Sequence, residues 1–461
     1  MKTVVQKAIR STIAFLKKFL PPEEQGTLYE TTNGVTVIVS DELPPEANAM
    51  SLAMYSRDPR SFLVHLKHVL KVGWKKFLSK FYVGYGHKSI GDCGTTTICI
   101  EGVSMLCAKA IQQYLLYKGQ EASTRYLDMS KQVILNFLGE KGEIIQKGWM
   151  RMYEYLLSIL IPDLKKRSPK KKGQDNATWE RAINAKAFDV ARSFLPAGAT
   201  TLVGWHTTLR EARDHLLELR NHPLKEVRDV AKQISELLHK KYPASGFDKL
   251  YLATEAYVTE YMRDYAYMEP ENLDLFWKDN FDVAGALTHK ATLTIRPDKT
   301  DLPAFLRRYG EAQVRFLLDF GSFRDLQRHR SALVLMPPLT TKYGFHPWYL
   351  DQIPEEHRAT TTEFIKHQTN LVNDLACDEH TRQYYIAMGM QVACEVTGSL
   401  PAIVYITELR SGQTVHPTLR IIAQKMAVEL QKRFPTMELH HDPSPDEWNI
   451  KRGNQTIIKK D

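Results

Sequence analysis

Residues 226–243, EVRDVAKQISELLHKKYP, and residues 418–435, TLRIIAQKMAVELQKRFP, are two versions of one pattern. In each, an Arg is followed by Ala at +3 and Pro at +15, with apolar residues at helical spacing between them. Each begins just after a Leu-Arg and a His-Pro, in LRNHP at 219–223 and LRSGQTVHP at 409–417. Further upstream, FLPAG at 194–198 is set against SLPAI at 399–403, and STRYLD at 123–128 against TTKYGF at 340–345. Landmarks repeated in one order indicate a tandem duplication with diverged halves.

The boundaries follow from that alignment. One repeat is expected over 28–247 and a second over 272–443, joined by the aromatic segment 248–271, read as a packed helix and turn. Residues 1–27 are expected to form an N-terminal helical extension and 444–461 a loosely held tail. NGVTVIVSD, TTTICIEG and QVRFLLDF read as strands by their length and β-branched content. RSFLVHLKHVLKVGWKKFLSKFY, RAINAKAFDVA and TTLREARDHLLELR read as helices, so the fold class is α+β and helix-rich. The glycines of VGYGHKSIG are wrongly spaced for a dinucleotide fingerprint.

A chain of 461 residues is long for one core and comfortable for two. Its 62 basic and 53 acidic residues leave +9, which favours anionic partners without choosing among them. Five cysteines without a CxxC pair suit reduced thiols and a cytoplasmic setting. No apolar run approaches the roughly 20 residues of a membrane helix, so no membrane partner is expected. The basic start MKTVVQKAIRSTIAFLKKFL reads as a transit peptide, a surface helix or a helix laid on the domain. LKKRSPKKKG at 164–173 lacks the interleaved aromatics of single-strand binders, and nucleic acid is not an expected partner. His440-His441-Asp442 lacks a third spaced ligand, so no metal is expected. No Ser-His-Asp or Cys-His arrangement stands out.

Three stretches carry chemistry suited to an anion. In RDLQRHR at 324–330, a continuing helix would put Asp325 under His329, where the carboxylate could orient the imidazole. Arg328 and Arg330 would then point about 200° apart, unable to grip one phosphate unless the helix ends there. Arginines at a helix C-terminus also satisfy the macrodipole with no ligand at all. In GQEASTRYLD at 119–128, an extended loop would line up Glu121, Ser123 and Arg125. The cation and hydroxyl suit a phosphate monoester; the carboxylate suits a ribose hydroxyl or ring N–H. In the second half that row becomes Thr340 and Lys342, with Pro337-Pro338 on its approach. GYGHKSIGDCG at 84–94 sets His87 and Ser89 among glycines that let backbone amides approach a ligand.

Taken together, these landmarks resemble the flavin-dependent thymidylate synthases. The first half resembles most of that family's pattern: GHKS at 86–89, EASTRY at 121–126, RSFLP at 192–196, TLR at 208–210 and LRNHPLKEVR at 219–228. The second half supplies RHR at 328–330, LP at 400–401, LR at 409–410 and VHPTLR at 415–420. There are departures. The family's Arg-His-Arg falls on Gln113, Tyr114 and Leu115 in the first half, and Asp92-Cys93 stands where the family has Glu-His. In the second half, Thr397 stands for the Arg before Leu-Pro.

The losses complement one another. The resemblance implies two tandem synthase-like domains forming a pseudo-dimer, and a homodimer of chains as a pseudo-tetramer. Glu121, Ser123, Arg125 and Arg192 would bind dUMP, while His87, Ser89, Arg210, Arg328, His329, Arg330 and His416 would bind FAD. Arg220 or Arg410 would polarise the uracil ring. The implied reaction is reductive methylation of dUMP to dTMP, with methylenetetrahydrofolate giving the carbon and NADPH reducing the FAD. The competing readings are a degenerate homologue that binds nucleotide or flavin as a regulator or scaffold, a nucleic-acid-binding protein, and the same fold using another pyrimidine nucleotide or one-carbon donor.

Overall fold

The computed structural model describes residues 28–32, 35–39, 43–84, 87–125, 127–264 and 274–445. The extension at 1–27 and the tail from 446 onward lie outside the described residues. The fold is a helix-rich α+β arrangement, and no helix among the described residues is long and apolar enough to cross a membrane. Contacts divide the chain into two compact units, Met1–Cys99 with Gly204–Arg263 and Ile100–Val203 with Asp264–Asp461.

The first unit opens with an antiparallel hairpin, β1 (Leu28–Thr32) and β2 (Val35–Val39). Helix α1 (Pro45–Tyr55) starts on a proline, and α2 (Phe62–Val72) starts under the side-chain cap of Ser61. The long apolar run read as one helix stops at Gly73, whose φ of +73° ends α2 in a conformation that glycine takes without steric cost. A buried carboxylate ties this unit together. Glu46 accepts hydrogen bonds from Trp74 Nε1 at 3.0 Å, the Ala244 amide at 3.0 Å and Ser245 Oγ at 2.7 Å.

The chain passes between the units within β3 (Thr95–Ser104) and returns within β5 (Thr200–Thr208). Between them come α3 (Met105–Gln112), β4 (Lys118–Glu121), α4 (Gly139–Arg167) and α5 (Asn176–Ala191). After β5 follow α6 (Leu209–Arg220), held by a Thr208–Glu211 capping box, then α7 (Lys225–Lys241) and α8 (Leu252–Asp264). The second half brings β6 (Leu275–Asp279), β7 (Glu311–Asp319), α9 (Phe320–Leu326), β8 (Leu333–Leu335), α10 (Glu355–Asn373), β9 (Gln391–Ser399), α11 (Leu400–Ser411) and α12 (Pro417–Arg433).

The element order repeats. A 3-10 turn of three residues, a strand of nine, a helix of twelve and a helix of seventeen run through Arg192–Phe194, β5, α6 and α7. The same lengths recur in Gln383–Tyr385, β9, α11 and α12. The sheets agree too, with order β3-β5-β4 in one and β6-β7-β9-β8 in the other. This correspondence corrects one landmark. FLPAG lies at the first 3-10 turn, whereas SLPAI opens α11, so the counterpart of FLPAG is YIAMG at 385–389. Arg192 therefore corresponds to Gln383, not to Thr397.

Inside the second unit the two halves join through these turns by mirrored hydrogen bonds. Ala197 N donates to the Ile386 carbonyl and Met388 N to the Leu195 carbonyl, both at 2.9 Å. Gly198 N reaches the Tyr384 carbonyl at 3.0 Å, and Gly389 N the Ser193 carbonyl at 2.7 Å. Pro196 and Ala387 form an antiparallel bridge at the centre. Trp149, Phe194, Phe316, Phe320, Phe323, Tyr349 and Tyr385 are buried in this unit.

Candidate functional site

Helix α9 is the organising element of the site, and where it stops matters most. Asp319 caps it, accepting from Ser322 N at 2.9 Å, and the helix ends at Leu326 with Gln327 as its C-cap. Arg328-His329-Arg330 therefore leaves in a turn, and its three side chains take separate roles. Arg328 is 46% exposed and lies 3.7 Å from Asp325 Oδ1. Arg330 donates to the carbonyls of Gln112 at 2.9 Å and Gln327 at 3.0 Å and sits 5.0 Å over the Tyr117 ring. His329 is buried, and its Nε2 accepts from Arg410 Nε at 2.8 Å.

Asp325 does not lie under His329, because the helical spacing that would place it there ends too soon. Arg410 links them instead, its Nη2 donating to the Asp325 backbone carbonyl at 2.5 Å. Burial, reinforced by Arg410 and Arg330, holds the His329 imidazole well below its ordinary pKa, so the ring is neutral. Since Nε2 is the acceptor, its proton belongs on Nδ1.

The first-half residues converge on the same place. Arg125 grips Asp189 through Nε at 2.6 Å and Nη2 at 3.3 Å, a two-pronged pair. Its Nη1 stands 3.7 Å from Asp325 Oδ2, and its Nη2 also donates to the Thr414 carbonyl at 3.3 Å. Glu121 is buried against Arg324 and accepts from Gln112 Nε2 at 2.7 Å. Arg192 is buried, with Nη2 donating to Ser322 Oγ at 3.3 Å and Nε lacking a hydrogen-bond partner. The Ser123 hydroxyl accepts from the Arg125 amide at 3.3 Å, so 123–125 is a tight turn and not the extended row expected of it.

His416 is fully enclosed. Its Nε2 lies 3.2 Å from the Asp189 carbonyl, and its Nδ1 lies 2.9 Å from Thr418 Oγ1 and 3.2 Å from Ser322 Oγ. Burial, with Arg192, Arg125, Lys186 and His346 adding to it, pushes its pKa far down. With both nitrogens engaged in the core, it positions neighbours and offers no edge to a ligand.

Asp325 is the electrostatic centre. Its Oδ2 is buried without a hydrogen-bond partner. Burial acts against ionisation, yet Arg125, Arg192, Arg328 and Arg410 outweigh it and hold the carboxyl below its usual range. Four guanidiniums around one incompletely satisfied carboxylate make a site suited to an oxyanion. Asp189 was not singled out from the sequence, and Asp325 was read there only as a partner that could orient His329. An acid between apolar residues at the end of a helix, as in AFDVA, was the available signal for Asp189.

The remaining expected residues belong to the first unit. His87 and Ser89 are exposed at the start of the short helix Lys88–Asp92. Arg210 pairs with Asp92 and lies 3.5 Å from Asp214. Arg220 donates to Glu255 at 2.7 Å. It is the twelfth residue of α6, whereas Arg410 is the eleventh of α11, so the two Leu-Arg pairs differ by one helical position, about 100° of rotation.

The helix-rich fold thus places Arg125, Arg192, Arg328 and Arg410 around the carboxylate of Asp325. Residues 42–244 match the family model described as Thymidylate synthase complementing protein, the flavin-dependent thymidylate synthase family. The chain is 22% identical to the UPF0159 protein of Chlamydia pneumoniae over 423 residues, 79% of each chain. It is also 22% identical to a UPF0159 protein of Chlamydia muridarum over 419 residues, 78% of this chain and 79% of the relative. The UPF0159 protein of Thermoplasma acidophilum is 22% identical over 439 residues, 78% of this chain and 87% of the relative. The family match points to a thymidylate-synthase-related function.

Proposed function

We propose that the chain catalyses reductive methylation of dUMP to dTMP with methylenetetrahydrofolate, in one composite site per chain built from both repeats. The observation that carries this reading is the meeting of Arg125 from the first half with Asp325 and the Thr414 carbonyl from the second, beside Arg328 and Arg410. That cradle suits the phosphate of dUMP, which would enter beside Arg125 and compete with Asp325 for its charge. Arg410, hydrogen-bonded to a neutral imidazole, keeps its positive charge uncompensated on that side and is suited to polarise a pyrimidine carbonyl.

The residues present fit one part of FAD. The exposed guanidinium of Arg328 suits its pyrophosphate, whereas His329 and Arg330 are committed to Arg410 and to backbone carbonyls and act as supports. When bound, FAD reduced by NADPH supplies the hydride. His87, Ser89 and Arg210 remain proposed flavin contacts from the first unit.

A purified sample reconstituted with FAD should convert dUMP to dTMP when given methylenetetrahydrofolate and NADPH, and R125Q should lower kcat/KM by about a hundredfold or more. Wild-type protein that binds dUMP yet forms no dTMP under these conditions overturns the enzymatic reading. One observation favours a second reading, a nucleotide binder without turnover. Asp189 and Glu121 already neutralise Arg125 and Arg324 inside the protein, so part of the cradle serves structure.

A further inference from the structure

The second half repeats the hydroxyl-x-cation turn at a separate cavity. Lys342 N donates to Thr340 Oγ1 at 3.1 Å, as Arg125 N does to Ser123 Oγ at 3.3 Å. The turn follows β8, which pairs with β9, just as the first follows β4 beside β5. The two turns are thus one local structure, built twice.

Their surroundings differ. In the first half the cation of the turn meets second-half groups, Asp325 and the Thr414 carbonyl. Beside the second turn there is a cavity of about 300 Å³, with Thr340, Lys342, Tyr343, Asn373, Glu379 and Arg382 among its walls. Arg382 is anchored by Nη2 on the carbonyls of Leu375 at 3.1 Å and Cys377 at 3.2 Å, while its buried Nε has no hydrogen-bond partner. Gln383, in the position of Arg192, accepts from Leu339 N at 2.9 Å and pins the segment leading into the turn. Thr341 Oγ1 donates to Asn373 Oδ1 at 2.6 Å, tying the turn to the end of α10. The cavity is therefore preformed.

We propose that this cavity is a second nucleoside-monophosphate site, which holds its ligand without turning it over. Lys342, Arg382 and the Thr340 hydroxyl suit a phosphomonoester. Glu379 suits a ribose hydroxyl or ring N–H, and the Tyr343 ring carries Lys342 Nζ 5.3 Å over its centroid, which seats that cation at the cavity wall. The volume is that of a small-ligand pocket. The first-half counterparts of Arg328-His329-Arg330 are Gln113, Tyr114 and Leu115, which carry no charge to complete a reacting site. The ligand class rests on the proposed function; the cavity and its cations do not.

Equilibrium dialysis of the full chain against dUMP tests it. Two moles should bind per mole of chain, with R125Q removing one class of site and K342Q weakening the other by about tenfold or more. Lys342 is exposed, so K342Q should fold, and its dTMP formation at saturating dUMP should match wild type. A single class lost with R125Q and untouched by K342Q overturns the second site while sparing the proposed function. Binding lost only with K342Q upholds the second site and overturns the Arg125 cradle. No dUMP bound at all overturns the second site together with the cradle.

Discussion

Asp325 places a negative charge where the proposed ligand would place one. Its carboxylate is close to Arg125 and Arg328 at 3.7 Å but hydrogen-bonded to neither, so an entering phosphate would have to compete with it. Asp325→Asn keeps the shape and removes the charge, and dUMP should then bind about tenfold more tightly in calorimetry. Unchanged or weaker binding would show that the carboxylate supports the cradle instead of competing for it. The two buried histidines set a pH dependence. Neighbours of His329 are Arg410, Arg330 and the Tyr405 ring; those of His416 are Ser322, Thr418, the Asp189 carbonyl, Arg192, Arg125, Lys186, His346 and the rings of Trp348 and Tyr349. Both folded pKa values lie below the unfolded value near 6.5, so the unfolded chain takes up more protons as pH falls. Their stabilisation is complete above about pH 6.5 and is lost below it, at up to about 1.4 kcal/mol per pH unit for each histidine. Urea midpoints should therefore drop between pH 7.5 and 5.5, and H416Q should flatten that drop. At this scale residue types were readable in sequence and directions were not. The seven residues RDLQRHR gave the charges, but their partners Glu121, Gln112, Arg125 and Arg410 are far off in the chain, and one early helix end redirected Arg328, His329 and Arg330.

Among the elements, the paired 3-10 turns carry the join between the halves, and two glycines make it possible. A Cβ on Gly198 would lie 2.7 Å from the Tyr384 carbonyl, and one on Gly389 would lie 2.8 Å from Ser193 Cβ and strike the Phe345 ring. Backbone cannot yield as a flexible side chain can, so Gly198→Ala should destabilise the second unit by about 1–3 kcal/mol. Thermal unfolding would register this as a lowered midpoint, and a wild-type midpoint would mean that the turns are not closely packed in solution. The helices and strands around the turns were legible, because apolar periodicity marked α5, α6, α7 and α12 and β-branched runs marked β2, β3 and β7. The turns were not. Three residues of 3-10 structure have no periodicity to read, and the shared Leu-Pro-Ala of FLPAG and SLPAI drew the alignment onto a helix start.

For the whole molecule, recurring landmarks were visible in sequence, whereas the grouping of contacts divides the chain within β3 and β5, across the expected repeat 28–247, where no composition change signals it. The repeats also differ in what they leave uncovered. Helices α11 and α12 pack together and expose Tyr405, Leu409, Ile421 and Val428. Among the described residues of α6 and α7, their counterparts, the exposed large apolar side chain is Leu237. An apolar face of this kind can be covered by the same face of a second copy, which closes the assembly at two. Light scattering should accordingly give twice the chain mass of 53.0 kDa. Val428→Lys should place a charge in that face and return the mass to one chain while leaving the circular dichroism spectrum unchanged. A wild-type protein that runs as a single chain at micromolar concentration would reject the dimer, and with it the pseudo-tetramer implied by the duplication; the composite site, whose residues all come from one chain, would stand.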